Sequence, residues 1–176
     1  TNLEYLHEKH TKKIETNLVS IKTHDDRTLF FDFMPMNIGT INGYKIQIQL
    51  YTVPGQVKYN ATRKLVLKGG DGIIFVADSL KTMRKKNIQS LNNLAENLKS
   101  VQSSIFKIPL ILQYNKRDDE IGSDNILTIE TLNKDLNEKL KVPVFPASAL
   151  TGVNVEKTFA GIIKQVLHTI KDEFGK

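Results

Sequence analysis

Two continuous apolar runs constrain the fold of this chain more than any other feature of its sequence. They are Gly72–Ala77 (GIIFVA) and Pro109–Tyr114 (PLILQY). Runs of this kind are typical of strands that are buried on both faces of a parallel sheet. Val142–Pro146 is a shorter run of the same type. Because parallel strands need crossover connections, we expect helices between these runs.

Helical periodicity fills the spaces around the three runs. Helices are predicted at Thr1–His10, at about Met83–Val101 and Ile129–Leu140, and at Val155–Phe174. In the last of them the apolar residues form one stripe: Val155, Phe159, Ile162, Ile163, Val166 and Ile170. The alternation of strands and helices predicts a three-layer α/β fold.

The first half of the chain has a different pattern. Thr28–Phe33 suits a strand, and Tyr44–Thr52 alternates strictly between apolar and polar side chains. Asn42-Gly43 lies between them and is a strong signal for a tight hairpin. Thr11–Arg27 is polar and is predicted to be irregular. We therefore predict a mostly parallel sheet with one antiparallel hairpin, in a single domain over residues 1–176.

Composition narrows the classes of function. The chain has no Cys, which excludes disulfides, thiol catalysis and thiolate metal sites. No apolar run approaches the ~20 residues that a membrane-spanning helix needs, and the first residues are polar. These features predict a cytoplasmic protein. The net charge is +6, but the lysines are scattered, without interleaved aromatic residues, so nucleic-acid binding is not expected.

A polar cluster follows the second apolar run, at the end of the sheet where ligands of α/β proteins bind. It reads Asn115-Lys116-Arg117-Asp118, an N-K-x-D sequence. The Asp118 carboxylate could accept hydrogen bonds from guanine N1–H and the 2-amino group, and adenine offers neither donor in that arrangement. Sites that bind polar groups of a ligand in this way favour the correct ligand over one that lacks those groups by a factor of ~10⁴ or more. Lys116 could lay its methylene stem along the plane of the base. The alternative interpretation of the whole cluster is a polar loop without a function.

Further clusters resemble the nucleotide motifs of small GTPases. The turn Ser148–Leu150 follows the third run, and in such proteins its backbone N–H, here that of Ala149, meets the guanine 6-oxo group. Thr52–Gln56 (TVPGQ) stands where D-x-x-G is usual. By this resemblance the Gly55 N–H would meet the γ-phosphate, and Gln56 would orient the attacking water.

The segment Asp26-Arg27-Thr28 precedes the first predicted strand and resembles a GTPase switch. The resemblance implies that Thr28 ligates Mg²⁺ through its hydroxyl and bonds the γ-phosphate through its N–H. Arg27 would stabilise the charge that develops during phosphoryl transfer, as an arginine supplied in cis. A solvated surface position is the alternative for Arg27.

Residues 27–79 resemble one family in particular, the MglA family of bacterial small GTPases. Thr52 in place of the usual acidic residue, followed by V-P-G-Q, is a feature of that family, and LQYNKRD at residues 112–118 resembles its I-Q-Y-N-K-R-D. The resemblance runs essentially from Thr1 to the end of the chain. It implies GTP/GDP and Mg²⁺ as ligands, slow GTP hydrolysis, a roadblock-type (MglB-like) activating partner and downstream effectors. It also implies a role in cell polarity and gliding motility, at a cell pole.

The P-loop sequence G-x-x-x-x-G-K-[ST] does not occur in the 176 residues. By resemblance, Thr1-Asn2-Leu3 matches the helix that follows this loop, so we expect a P-loop small-GTPase-like fold whose first strand is missing. The intact downstream motifs favour truncation over degeneration. The chain alone is then expected to bind GTP weakly.

Other functions are compatible with parts of the sequence. A non-cycling interaction module could use the surface of Tyr51–Lys68 to hold a partner without nucleotide. A dinucleotide-binding domain needs G-x-G-x-x-G after its first strand, and no such sequence occurs. A metal hydrolase could use His7 and His10 on the first helix, but no third ligand is evident.

Overall fold

The computed structural model of the chain describes residues 1–10, 19–21, 31–41, 43–53 and 60–174. The chain consists of two compact units, Thr1–Val66 and Leu67–Lys176. Within the described residues, the strands form two sheets of three strands each.

The first unit contains helix α1 and an antiparallel sheet. Helix α1 spans Asn2–Lys9 and buries Leu3 and Leu6, as its periodicity predicts. The strands are β1 (Val19–Ile21), β2 (Phe31–Ile41) and β3 (Tyr44–Tyr51), in the order β1-β2-β3. Helix α2 (Asn60–Leu67) follows β3 along the chain.

The predicted hairpin is confirmed as the antiparallel pair β2–β3, which closes at Ile41 and Tyr44. Gly43 lies in the connection with φ +84, a conformation that favours glycine, and Asn42 lies outside the described residues. The alternation along β3 is confirmed as well, because every second residue, beginning at Ile46, is half-buried between exposed neighbours.

Two boundaries in this unit were predicted wrongly. Thr11–Arg27 was expected to be irregular, yet Val19–Ile21 forms β1 and pairs with β2. A strand of three residues owes its existence to the neighbouring strand, so its own sequence gives little signal. Strand β2 also continues past Phe33, through Pro35, to Ile41. Pro35 pairs in register with Gln49, and the register shifts further along, between Asn37 and Gly39.

The second unit contains the parallel sheet that the apolar runs predict. Strands β4 (Ile73–Asp78), β5 (Leu110–Asn115) and β6 (Val144–Pro146) are parallel and lie in the order β4-β5-β6. Helices α3 (Arg84–Ser100) and α5 (Val155–Phe174) lie close to the predicted bounds. The predicted helix at Ile129–Leu140 is an α-helix, α4, only at Ile129–Leu132, and it continues as a π-helix at Asn133–Asn137.

The parallel sheet is covered by helices on both faces. On one face α3 and the α4 region share a core with β4 and β5, and its most buried members include Ala77, Leu98, Leu110, Leu112, Tyr114 and Leu132. On the other face α5 packs closely, because a Cβ on Gly161 would lie 2.9 Å from Ile111 Cδ1. The second unit therefore has three layers.

Burial on both faces is confirmed for β5 and is wrong for part of β4. Residues Leu110–Tyr114 are all buried. In β4, Phe75 and Ala77 are buried, but Val76 on the opposite face is 44% exposed. Strand β4 is an edge strand of this three-stranded sheet, where coverage is less complete. An α/β fold with a parallel sheet and an antiparallel hairpin is thus confirmed, while a single continuous sheet that lacks its first strand stays a prediction.

Candidate functional site

The candidate site lies at the carboxyl edge of the parallel sheet, where three strands end beside one another. Asp78 at the end of β4 is paired in register with Asn115 at the end of β5. The segment after β6 is tied to β5 by a backbone hydrogen bond from Ala147 N to Tyr114 O (2.8 Å), and to the loop after β5 by one from Arg117 N to Ala147 O (3.1 Å). The sheet thus brings together residues that are distant in sequence, as α/β topology requires.

Asn115 joins the loop after β5 to the turn after β6. Its Oδ1 accepts a hydrogen bond from the Ala149 backbone N–H at 2.8 Å, across 34 residues of sequence. We expected this N–H to read a guanine 6-oxo group. In the structure it is engaged by Asn115, so it would have to be shared with a base.

Asp118 is oriented by the same turn. The hydroxyl of Ser148 donates to Asp118 Oδ1, and Ser148 Oγ itself accepts from the Thr151 N–H at 3.0 Å. Ser148 is only 2% exposed, so this hydroxyl is fixed by its surroundings. A carboxylate has about four lone-pair sites, and Asp118 therefore retains capacity for donors on a ligand.

Lys116 occupies an unusual backbone conformation and forms an ion pair across the sheet edge. Its φ is +63, in the left-handed region. Its Nζ lies 2.8 Å from Asp78 Oδ2; the Lys116 side chain is 49% exposed and that of Asp78 is 16% exposed. Sequence reasoning missed Asp78, although it is the polar residue that ends the first apolar run. The rule that identified Asn115, a polar residue directly after a buried strand, also identifies Asp78.

Backbone and side-chain contacts hold the loop ends in place. Arg117 Nη1 donates to Leu127 O at 2.9 Å. The Ser79 N–H donates to Asn115 O at 2.9 Å, and Ser79 O accepts from Leu127 N at 2.7 Å. Ser79 is fully buried, and its Oγ has no hydrogen-bond partner in the part of the chain that the structure describes.

Tyr114 links the site to the π-helix. This fully buried residue precedes Asn115, and its hydroxyl donates to Asn133 Oδ1 at 2.9 Å. Burial raises the pKa of Tyr114 to about 12, and the nearby charge of Asp135 adds to the rise. Arg84 donates to both Asp135 oxygens, at 2.6 and 2.8 Å, and this hydrogen bonding lowers the pKa of the Asp135 carboxyl.

The structure brings together the predicted base-reading residues Asn115, Asp118, Ser148 and Ala149, and Lys116 extends from the same loop towards Asp78. Thr52 is half-buried directly after β3. The other predicted residues lie outside the described residues: Arg27, Thr28, Gly55 and Gln56. Across the described ranges, no helix is long and apolar enough to cross a membrane, and no three His, Asp or Glu side chains are grouped as metal ligands.

Comparison with known proteins identifies the class to which this fold and site belong. The sequence model of the Ras family matches residues 18–168. The chain is 46% identical over 171 residues to the mutual gliding-motility protein MglA of Myxococcus xanthus (strain DK1622), which covers 97% of this chain and 85% of that protein. It is 27% identical to Ras-related protein Rab-11A of Dictyostelium discoideum, over 88% of this chain and 71% of that protein. It is also 27% identical to RABG3f of Arabidopsis thaliana, over 72% of this chain and 61% of that protein.

This chain therefore belongs to the Ras family of small GTPases, which bind guanine nucleotides. Within that family it is MglA-like, because it shares 46% identity with the Myxococcus protein over 97% of this chain.

Proposed function

We propose that this GTPase is a guanine-nucleotide-dependent switch whose base is read by Asn115, Lys116 and Asp118. The observation that carries the proposal is the contact of Ser148 and Ala149 with Asp118 and Asn115. Two loops that are remote in sequence together orient one carboxylate and one amide at the carboxyl edge of the sheet. A site whose polar groups are fixed before binding discriminates well, because a wrong base leaves them unpaired.

The reaction in this proposal is slow GTP hydrolysis with Mg²⁺. The Thr28 hydroxyl would hold the metal ion, which neutralises charge on the phosphates when bound. The Gly55 N–H would bind the γ-phosphate, Gln56 would orient the water, and Arg27 would stabilise the developing charge. These roles rest on the motifs in the sequence and on the likeness to MglA. The proposal treats residues 1–176 as one small-GTPase domain.

The cellular role in this proposal is control of cell polarity and gliding motility. Its support is the 46% identity to a mutual gliding-motility protein. We propose a roadblock-type, MglB-like activating protein as its partner, together with downstream effectors, at a pole of the cytoplasm.

The base-reading assignment is tested by Asp118→Asn. The amide places a donor where the carboxylate accepts, which suits the 2-oxo group of xanthine and opposes the 2-amino group of guanine. We expect the ratio of GDP to XDP affinity, measured by isothermal titration calorimetry, to fall by ~10³ or more. Asp119→Asn, which changes an exposed neighbouring carboxylate, is the control and should leave the ratio unchanged. Retention of guanine preference in Asp118→Asn would overturn the assignment.

A non-cycling interaction module is the second candidate. It is favoured by two exposed apolar side chains in the segment Tyr51–Lys68, namely Tyr51 (44% exposed) and Leu65 (71% exposed). Partner binding in the presence of GTP, of GDP and of no nucleotide separates the two candidates. Equal binding in all three conditions favours the module.

A further inference from the structure

We propose that Asp78 is a positioning residue. It sets the direction of the Lys116 side chain, and the methylene stem of this lysine then binds the face of the nucleotide base more strongly. The inference rests on the proposed base-reading function and adds to it a residue on a different strand. Asp78 would act on any purine base, because it works through the lysine stem and not through the base edge.

The Asp78 carboxylate is oriented independently of Lys116. The side-chain amide of Asn87 in α3 binds both backbone groups of Asp78. The Asp78 N–H donates to Asn87 Oδ1 at 3.1 Å, and Asn87 Nδ2 donates to Asp78 O at 2.8 Å. Asn87 is 7% exposed. Asp78 Oδ1 accepts from the Leu80 N–H at 3.0 Å. The remaining oxygen, Oδ2, is the one that Lys116 Nζ approaches.

The lysine side chain is consequently held at both ends. Its backbone lies between Asn115, which is tied to Ala149, and Arg117, whose N–H donates to Ala147 O. Its ammonium group lies 2.8 Å from Asp78, at the end of the neighbouring strand. The methylene stem thus runs from the end of β5 to the end of β4. A free lysine would lose rotamer entropy when a base packs against it, and here that ordering has already taken place.

The position of the stem separates two kinds of recognition. Asp118 and Asn115 offer polar groups, which read the edge of a base, whereas the stem offers apolar surface, which suits the face of any base. Loss of the Asp78 carboxylate should therefore lower the affinity for GDP and the affinity for inosine diphosphate (IDP) by the same factor. Inosine lacks the 2-amino group that Asp118 would read, so the GDP/IDP ratio reports on the base edge alone.

The test uses Asp78→Asn, Lys116→Met and the double variant in the full chain. Asp78→Asn keeps an oxygen for the Leu80 N–H and loses the charge, while Lys116→Met keeps most of the stem and loses the ammonium group. Calorimetry with GDP and IDP should show that each single variant binds both nucleotides about three- to tenfold more weakly, with an unchanged GDP/IDP ratio. The double variant should bind no more weakly than Lys116→Met alone, because Asp78 acts only through the lysine.

Asp135→Asn is the matched control, since it removes a similarly enclosed carboxylate (11% exposed) from an ion pair with Arg84. It should leave both affinities unchanged. Unaltered affinity in Asp78→Asn, additive losses in the double variant, or a changed GDP/IDP ratio would each overturn the inference. If Asp78→Asn does not fold, an unaltered affinity in Lys116→Met overturns it equally. Failure of the proposed function is distinct, because the wild-type chain would then show no preference for GDP over XDP.

Discussion

At the scale of single residues, Tyr114 combines a structural and an electrostatic role. Its ring is part of the core between the parallel sheet and α3, and its hydroxyl has one identified partner, Asn133. A buried phenol is readily accommodated while it is neutral, but its ionised form would lose hydration and would face the charge of Asp135. The folded protein therefore holds the phenolic proton more tightly than the unfolded chain does.

This difference predicts a loss of stability at high pH. Because the pKa of Tyr114 is raised from 10.0 to about 12, its contribution is complete below about pH 10 and is lost as the pH rises towards 12. Between about pH 9 and pH 12, the free energy of unfolding should fall by on the order of 2 kcal/mol more in the wild type than in Tyr114→Phe. Urea unfolding across this range measures the difference. Tyr44→Phe, at an exposed position, should behave as the wild type; equal slopes in all three proteins would contradict the prediction.

The same scale shows what the sequence could and could not predict about the site. The N-K-x-D spacing predicts an amide and a carboxylate together in one loop at Asn115 and Asp118, and their role in base reading stays a prediction. Asn133 was not predictable, because its partner Tyr114 is 19 residues away and only the packed structure brings the two together. Asp78 was predictable by the same rule as Asn115, since it directly follows the apolar run Gly72–Ala77.

At the scale of elements, the α4 region shows how tertiary contacts override helical periodicity. The sequence predicts one helix over Ile129–Leu140, but the α-helix gives way to a π-helix after Leu132. Side chains of the π-helix are bound outside it: Asn137 exchanges two hydrogen bonds of 2.9 Å with the Val142 backbone. Such contacts depend on the packed geometry of the chain, about which periodicity contains no information.

Contact between α5 and the start of β4 gives a prediction at this scale. A Cβ on Gly72 would lie 2.6 Å from Val166 Cγ2, and Val166 has a stiff, β-branched side chain. Gly72→Ala should therefore lower the free energy of unfolding by about 1–3 kcal/mol through overpacking. Denaturant unfolding of Gly72→Ala, Val166→Ala and the double variant measures the coupling.

Relief of the clash should make the double variant more stable than the sum of the single effects implies. Strict additivity would show that Gly72 and Val166 do not interact in this way.

At the scale of the whole molecule, burial differs between strand β5 of the parallel sheet and strand β3 of the antiparallel sheet. Strand β5 is buried along Leu110–Tyr114, whereas every residue of β3 is exposed or half-buried. The continuous apolar run and the strict alternation made this difference predictable from the sequence. The extent of β2 and the existence of β1 were not, because both depend on pairing between strands.

The difference in burial between β5 and β3 predicts the order in which their backbone amides exchange with solvent. Backbone amides of Leu110–Tyr114 should exchange most slowly, because water reaches them only when the second unit opens, and those of Tyr44–Tyr51 should exchange earlier. Hydrogen–deuterium exchange followed by mass spectrometry, corrected with rates from the urea-unfolded chain, measures both. Protection of β3 equal to that of β5 would contradict the prediction.

The hydrogen bond between Ala149 and Asn115 also has a consequence for biosynthesis. A ribosome makes the chain from its N-terminus, so Asn115 leaves the exit tunnel while the turn that fixes it is still 34 residues behind. Ser148 is likewise 30 residues behind Asp118. During that interval the nascent chain contains the N-K-x-D loop without the groups that orient its side chains. Under the proposed base-reading role, selectivity for guanine would therefore be acquired late in translation, and a product that stops before Ser148 would have the motif without the groups that orient it.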